Sequence, residues 1–245
     1  MLIFALRKLK IFSVNAKQSV WLVYNFVFLA KCITFGNGFL TNNLSHNSTM
    51  KNNKVTLEEA KKLIQFYPDW PKEGVNFVDL LPLLSDAATF SVIIEDLGKH
   101  VTTPNVAAPE ARGFLFAAPL LVTDSKAQNL ITFRKNGKLP ANEGDLQKVA
   151  IVKEYGEDSL FFRKSDLQNA QVTNGVIEIS ILDDILATGG TALKMAEHLK
   201  ALTVTKDGVE YPVKVKEFIF LADLSFLNGK ELLEKVAPVY SLISF

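Results

Sequence analysis

The sequence predicts an α/β fold in which a parallel sheet is flanked by helices. Short apolar segments typical of buried strands alternate along residues 51–245 with segments of helical periodicity. Strands separated by helices favour parallel pairing, because each crossover lays a helix against the sheet. A hydrophobic fraction of 48% in 245 residues is ample for a core, and the one cysteine, Cys32, excludes a disulfide-stapled chain.

The first fifty residues differ from the rest. They hold five basic residues and no acidic one, with an apolar stretch at residues 20–30. That stretch is shorter than the ~20 apolar residues of a spanning helix, so we expect no stable membrane association and a cytoplasmic protein. We expect residues 1–50 to be a non-structural leader, and three explanations stay open: a true start at Met50, a targeting segment, or a membrane anchor.

Residues 51–245 form the predicted domain, and their charge limits the possible partners. They carry 22 basic and 26 acidic residues, a net charge of −4, which the basic leader hides in the overall value of +1. Non-specific nucleic-acid binding rests on a basic surface, so we expect no nucleic-acid partner.

Two helices are predicted at the start of this domain. Thr56 and Glu59 have the spacing of a capping box, and apolar residues then recur at helical intervals, so a helix is predicted that ends before Pro68. A second helix is predicted over Ala87–His100, which carries an apolar face.

The rest of the domain is predicted to alternate strands and helices. The strands are Asn105–Ala108, Asn129–Phe133, Val176–Leu182 and Phe218–Ala222, and the helices are Phe114–Thr123, Ala192–Leu202 and Lys230–Val236. The stretch Lys138–Arg163 breaks the alternation, and its glycines and proline indicate a long excursion of the kind that forms a lid. A polar hairpin is predicted over Thr203–Val213.

The segment Ile181–Thr191 carries the strongest chemical signal. It consists of a strand end, two acids, a small-residue turn and a helix start. Free N–H groups at a helix start attract an anion, and Gly189 and Gly190 let the backbone approach it closely. The polar side chains are hydroxyls that can donate to phosphate oxygens and carboxylates that can accept from sugar hydroxyls: Thr188, Thr191, Asp183 and Asp184.

This segment resembles the phosphoribosyl-pyrophosphate motif of type I phosphoribosyltransferases, most closely the adenine phosphoribosyltransferase version. The resemblance implies that Asp183 and Asp184 hold the ribose hydroxyls. It also implies that a loop wraps the 5-phosphate, formed by Ala187, Thr188, Gly189, Gly190 and Thr191. The fold implied adds a small N-terminal hood and a flexible lid to the sheet. The segment is not a Walker loop, and a Rossmann dehydrogenase is excluded because no Gly-x-Gly-x-x-Gly follows the first strand.

The stretch Phe66–Phe77 resembles the family's N-terminal signature, which implies that Asn76 and Phe77 bind the base. An aromatic ring can stack on a base and stabilise it by ~1–3 kcal/mol. From the residues alone, a core position for Phe77 stays open. The family commonly has arginine where this chain has Val78, which leaves the choice of purine open.

Two stretches resemble the family's pyrophosphate-binding elements. Pro109–Phe114 matches its pyrophosphate loop, in which Arg112 would clamp the anion and assist catalysis. The run that begins Arg134-Lys135 and continues through Lys138 resembles a basic turn that would offset pyrophosphate charge. A solvated surface turn is the alternative interpretation.

The stretch Lys153–Gly156 resembles the family's lid tip. The resemblance implies that Glu154 handles a proton of the purine and that Tyr155 closes over the reacting groups. A lid that excludes water would protect the reactive sugar cation from hydrolysis.

The resemblance implies a purine-salvage enzyme that transfers the 5-phosphoribosyl group of phosphoribosyl pyrophosphate to adenine, giving AMP and pyrophosphate. Mg²⁺ would be bound mainly through the substrate, so we expect no dedicated protein metal site. A homodimer is implied as well. Two alternatives stay open: transfer to hypoxanthine, guanine or xanthine, and a non-catalytic nucleotide-sensing regulator on the same fold.

Overall fold

The computed structural model describes residues 55–152 and 157–245, so the predictions for the leader and for the lid tip lie outside the described residues. The helices are α1 (Leu57–Lys61), α2 (Ala87–His100), α3 (Arg112–Leu120), α4 (Gly190–Lys200) and α5 (Gly229–Glu234). The strands are β1 (Gln65–Tyr67), β2 (Phe77–Asp79), β3 (Asn105–Pro109), β4 (Asn129–Lys135), β5 (Leu146–Val152), β6 (Glu157–Arg163), β7 (Ile177–Leu186), β8 (Thr203–Lys206), β9 (Val209–Asp223) and β10 (Val239–Ser244).

The centre of the main sheet is parallel, as predicted. Within the described ranges, β10, β9, β7, β3 and β4 lie side by side in that order, and each pairs in parallel with its neighbour. Antiparallel strands extend this centre, because β6 pairs with β4 and with β5, and β8 pairs with β9. The sheet is therefore mixed, with the parallel strands at the position of the predicted motif.

Helices cover both faces of the sheet, which confirms the predicted α/β class. One core cluster joins the sheet to α4 and α5 through Ile179, Phe218, Met195, Leu199 and Leu233. The other joins the opposite face to α1, α2 and α3 through Ala60, Ile93, Leu97, Phe116 and Leu182. In the described residues no helix is long and apolar enough to cross a membrane.

The first helix is shorter than predicted. The capping box is present, since Thr56 Oγ1 accepts from the Glu59 N–H and Glu59 reaches back to the Thr56 N–H, but α1 ends at Lys61. The chain then forms β1, which pairs antiparallel with β2 in a two-stranded sheet. Pro68 disfavours helical backbone at Tyr67, so the residues before it become extended. This small sheet corresponds to the predicted hood.

The predicted excursion at Lys138–Arg163 contains regular structure. β5 and β6 form an antiparallel pair that runs from Leu146↔Arg163 to Val152↔Glu157, and β6 joins the main sheet beside β4. Hydrogen bonds of the sheet therefore satisfy the backbone of a segment that its glycines and proline had marked as loop. The residues between the two strands, 153–156, are not described.

Candidate active site

The acidic pair lies within β7 rather than after it. The strand continues past Leu182, and the register pairs Asp183 with Phe220 and Leu186 with Asp223 on β9. The carboxyl ends of parallel strands meet at one edge of a sheet, where ligands of α/β proteins bind. The extension of β7 therefore holds both aspartates rigidly at that edge.

Asp184 is buried and faces an arginine of the neighbouring segment. Its side chain is 6% exposed, and its Oδ2 lies 2.7 Å from the Nε of Arg112 at the start of α3. Although the charges are this close, Oδ2 accepts no hydrogen bond from the described residues. The Arg112–Asp184 pair is thus held by charge rather than by a hydrogen bond.

Burial governs the ionisation of both carboxyls. It raises the pKa of Asp183 well above its usual range, and the neighbouring charge of Asp184 raises it further. Burial also raises the pKa of Asp184, while the positive charge of Arg112 opposes that rise. The site therefore holds two like charges that are costly to keep ionised, and Arg112 is what favours the charged form of Asp184.

Gly113 allows α3 to approach the acidic pair closely. A β-carbon at this position would lie 2.9 Å from Asp183 Oδ1 and 2.9 Å from Pro109 Cδ. Real β-carbons do not come this close to other atoms, so a side chain here would displace either the acid or the strand end. Gly113 was given no function of its own from the sequence, and its place between Arg112 and Phe114 was the signal available.

The segment Ala187–Thr191 forms a loop that leads from β7 into α4. Gly189 has φ +77°, a left-handed conformation that favours glycine, and its carbonyl accepts the helical bond from the Leu193 N–H. Asp183, the loop residues and Phe220 line a small cleft of ≈ 90 Å³. The cleft thus joins a carboxylate that can bind hydroxyls to a helix start that attracts anions.

Phe77 lies beside Arg112 and is not a core residue. It is partly exposed on β2, the Arg112 guanidinium carbon lies 5.9 Å from its ring centre, and Trp70 meets it edge-on at 4.5 Å. Asn76 is exposed next to it. Trp70 was not singled out from the sequence, although it falls inside the stretch that resembles the family's N-terminal signature.

Val78 is 4% exposed and packs in the core cluster of α1, α2 and α3. Successive side chains of a strand point to opposite faces, so Val78 points away from the face that carries Phe77. The exchange of the family's common arginine for valine therefore leaves the Phe77 face unchanged.

The basic residues of the β4 end fall into two groups. Arg134 Nε donates to Glu110 Oε2 at 3.0 Å, and the same oxygen accepts the Lys135 N–H at 2.8 Å, so Arg134 braces the segment that carries Arg112. The side chains of Lys135 and Lys138 are exposed. Glu110, whose pKa these hydrogen bonds lower, was not singled out from the sequence.

The structure thus brings five predicted parts of the site together. Arg112 adjoins both Asp184 and Phe77, and Asp183 shares a cleft with the loop Ala187–Thr191. Glu154 and Tyr155, for which catalytic roles were predicted, lie outside the described residues.

Comparison with known proteins identifies the family, although no family model matches the chain. An adenine phosphoribosyltransferase of Thermoanaerobacter pseudethanolicus is 38% identical over 194 residues, which is 78% of this chain and all of that relative. Its crystal structure superimposes with a TM-score of 0.62 over the same shares of the two chains. The Saccharomyces cerevisiae enzyme, solved with an imino-altritol bisphosphate and adenine, is 29% identical with a TM-score of 0.57 over 76% of this chain and 97% of its own. The chain therefore belongs to the adenine phosphoribosyltransferase family of transferases.

Proposed function

We propose that this chain transfers the 5-phosphoribosyl group of phosphoribosyl pyrophosphate to adenine, giving AMP and pyrophosphate in purine salvage. The observation that carries the proposal is the position of Arg112, 2.7 Å from Asp184 and 5.9 Å from the centre of the Phe77 ring. One cation thereby adjoins both the acid that would bind the sugar and the ring that would bind the base. The transfer requires that the sites for the sugar, the anion and the base adjoin one another.

The donor would be held at the carboxyl edge of the sheet. Asp183 and Asp184 would accept hydrogen bonds from the ribose hydroxyls, and the loop Ala187–Thr191 would hold the 5-phosphate at the start of α4. As the bond from C1 of the ribose to pyrophosphate breaks, positive charge grows on the sugar and negative charge on the leaving group. Arg112, Lys135 and Lys138 would stabilise that negative charge.

Arg134 has a different part in this proposal. Because it is paired with Glu110, it would act on pyrophosphate by holding the Arg112 segment in place, and its charge would be shared with Glu110. The two exposed lysines would be free to move toward the leaving group.

The base would stack on Phe77, with Asn76 beside it. Its attacking nitrogen forms the new bond to C1 and loses a proton, which Glu154 would accept as general base. Tyr155 would close over the reacting groups and keep water away from the sugar cation. Because Val78 is buried, the exchange of arginine for valine does not alter the stacking face and does not count against adenine as the base.

A magnesium ion would be bound mainly through the oxygens of the donor. The described residues contain no group of three or more His, Cys, Asp or Glu side chains that could hold a metal. Asp183 offers hard oxygen atoms beside the cleft, which suits a cation that keeps most of its other ligands from substrate and water. When bound, the ion would offset pyrophosphate charge.

We further propose a cytoplasmic homodimer in which residues 51–245 are the catalytic domain and residues 1–50 are dispensable. Exposed apolar side chains within α3 and just beyond its end, namely Leu115, Leu121 and Val122, support an interface there. Light scattering of the full chain tests for the dimer, and a monomer would contradict it. The transferase activity of a 51–245 variant tests whether residues 1–50 are dispensable, and an inactive short variant would contradict that.

Pyrophosphate release tests the activity itself. The full chain is incubated with phosphoribosyl pyrophosphate, Mg²⁺ and adenine, hypoxanthine, guanine or xanthine, one base at a time. We expect release with adenine, and Asp184→Asn as the matched control should abolish it. Release only with a base other than adenine would identify that base as the substrate. No release with any base would favour a nucleotide-sensing regulator.

A further inference from the structure

We infer that Gly229, the first residue of α5, is a positioning residue that sets the shape of the phosphate loop. The inference rests on the proposed function, because it assigns the loop Ala187–Thr191 to the 5-phosphate. Gly229 itself would touch no substrate. It would act through the backbone of the loop, which it supports from the side of the core.

Gly229 and the loop meet backbone to backbone. A β-carbon at Gly229 would collide with the carbonyl oxygen of Ala187, and it would lie 2.9 Å from Leu186 Cδ1 and 3.0 Å from the amide nitrogen of Gly189. The contact is reciprocal, since a β-carbon at Gly189 would lie 3.0 Å from the Gly229 carbonyl oxygen. These distances leave room for hydrogen atoms only, so the two segments fix each other's position.

Space, rather than backbone conformation, accounts for glycine at position 229. The left-handed residue at this turn is its neighbour Asn228, with φ +56°, whereas Gly229 is not among the residues with positive φ. Alanine could therefore adopt the backbone conformation of residue 229, and the close contacts with the loop and with Leu186 oppose it. A substitution here tests that contact without a large conformational penalty.

The segment that carries Gly229 is tied to the same strand as the loop. The Leu224 N–H donates to the Leu186 carbonyl at 2.8 Å, which joins the end of β9 to the end of β7. Leu233, one turn further along α5, is fully buried, and its Cγ would lie 3.2 Å from a β-carbon at Gly189. Gly229 and Leu233 thus form one supporting surface behind Gly189.

The expected effect is selective for the phosphate. A methyl group at residue 229 must push the Ala187 carbonyl and the Gly189 amide toward the cleft, which reorients the N–H groups that would receive the phosphate. Phe77 lies on a different sheet, β2, so the base site should keep its geometry. The donor should therefore bind more weakly while adenine does not.

The first test compares Gly229→Ala with Gly208→Ala. Gly208 lies in the β8–β9 hairpin with φ +79° and nothing within 4 Å of its β-carbon position, so alanine there introduces strain but touches no loop. Since a shift of about 1 Å can lower a rate by on the order of 10²-fold, we expect the donor KM of Gly229→Ala to rise about tenfold or more. Its adenine KM, and both constants of Gly208→Ala, should stay within about twofold of wild type.

Calorimetry measures the binding of ribose 5-phosphate to the same loop without the reaction. We expect weaker binding to Gly229→Ala and unchanged binding to Gly208→Ala. An unchanged donor KM and unchanged ribose 5-phosphate affinity in Gly229→Ala would overturn the inference. Wild-type chain without any transferase activity would instead overturn the proposed function, so the two failures are distinguishable.

A second pair of variants tests the inference even if Gly229→Ala does not fold. Leu233→Val and Leu199→Val each delete one methylene from a fully buried side chain of the same core cluster, but only Leu233 backs Gly189. We expect weaker donor binding in Leu233→Val alone, at equal melting temperatures of the two variants. Equal donor binding in the two variants would overturn the inference.

Discussion

The Arg112–Asp184 pair offers a quantitative test of how the site is held together. Replacing Arg112 with alanine leaves the Asp184 carboxylate buried without its cation. Removing one partner of a fully buried pair costs about 3–5 kcal/mol, whereas an exposed pair contributes about 0–1 kcal/mol. With Asp184 6% exposed and Arg112 39% exposed, we expect Arg112→Ala to lower the free energy of unfolding by about 2 kcal/mol.

The cost should depend on pH in a defined direction. Without Arg112 the largest influence that opposes burial is lost, so the pKa of Asp184 in the folded variant rises further above the ordinary value of 3.8. The folded variant then retains a proton that the unfolded chain releases, and its stability falls as pH rises from that ordinary value through the folded pKa. Wild type and variant should converge in acid and diverge toward neutral pH.

Urea unfolding between acid and neutral pH measures both effects, and Arg163→Ala is the matched control. Arg163 is 38% exposed and lies 2.8 Å from Asp166, a carboxylate that is 19% exposed, so its removal should cost less than that of Arg112. The double variant Arg112→Ala with Asp184→Asn should regain stability, because the unpaired charge is gone. Equal losses for the two arginines, or strict additivity in the double variant, would refute the reasoning.

Three further outcomes are expected. Asp183→Asn should unfold at a higher temperature than wild type at neutral pH, because burial and its like-charged neighbour raise the pKa of this carboxyl, yet it should lose transferase activity; differential scanning calorimetry showing a lower melting temperature would contradict this. Phe77→Ala should raise the KM for adenine about tenfold to a hundredfold by loss of stacking, with Phe77→Tyr close to wild type; equal KM values in steady-state assays would return Phe77 to a purely structural role. Glu154→Gln should lower kcat on the order of 10²-fold at an unchanged melting temperature, and an unaltered kcat would remove it from proton transfer.

The parts of the fold predicted from sequence are those with strong local signals. The second helix runs over Ala87–His100 as predicted, because Asp86 caps its first turn and Ile93, Ile94 and Leu97 keep one face buried. The parallel centre of the sheet follows from apolar strands separated by helices, which have few other ways to pair.

Differences arise where tertiary pairing outweighs local pattern. The helical spacing after Thr56 predicted a helix up to Pro68, yet β2 offers Gln65–Tyr67 a hydrogen-bonded partner and the helix ends at Lys61. In the same way, pairing with β9 carries β7 through the aspartates. Neither effect is visible in a local window, because the partner strand lies well along the chain.

The residue types of the site were predicted from the sequence better than the contacts between those residues. The motif at Ile181–Thr191 predicted the acidic pair and the anion loop at one sheet edge. The pairing of Arg134 with Glu110 was not predicted, since a run of basic residues gives no indication of which cation is already partnered. Gly113 and Gly229 matter for the space they leave, and empty space has no sequence pattern of its own.

The position of α5 behind the phosphate loop also bears on how this enzyme is made. The loop at Ala187–Thr191 is synthesised before β9, α5 and β10, and β10 then pairs with β9 while the Phe245 N–H donates to Asp223. A nascent chain that has just produced its phosphate-binding residues therefore has none of the later elements that hold them in shape. Donor binding therefore reports whether the last elements of the chain have folded. Chains that stop short of α5 should be inactive although every residue that would touch the donor is present.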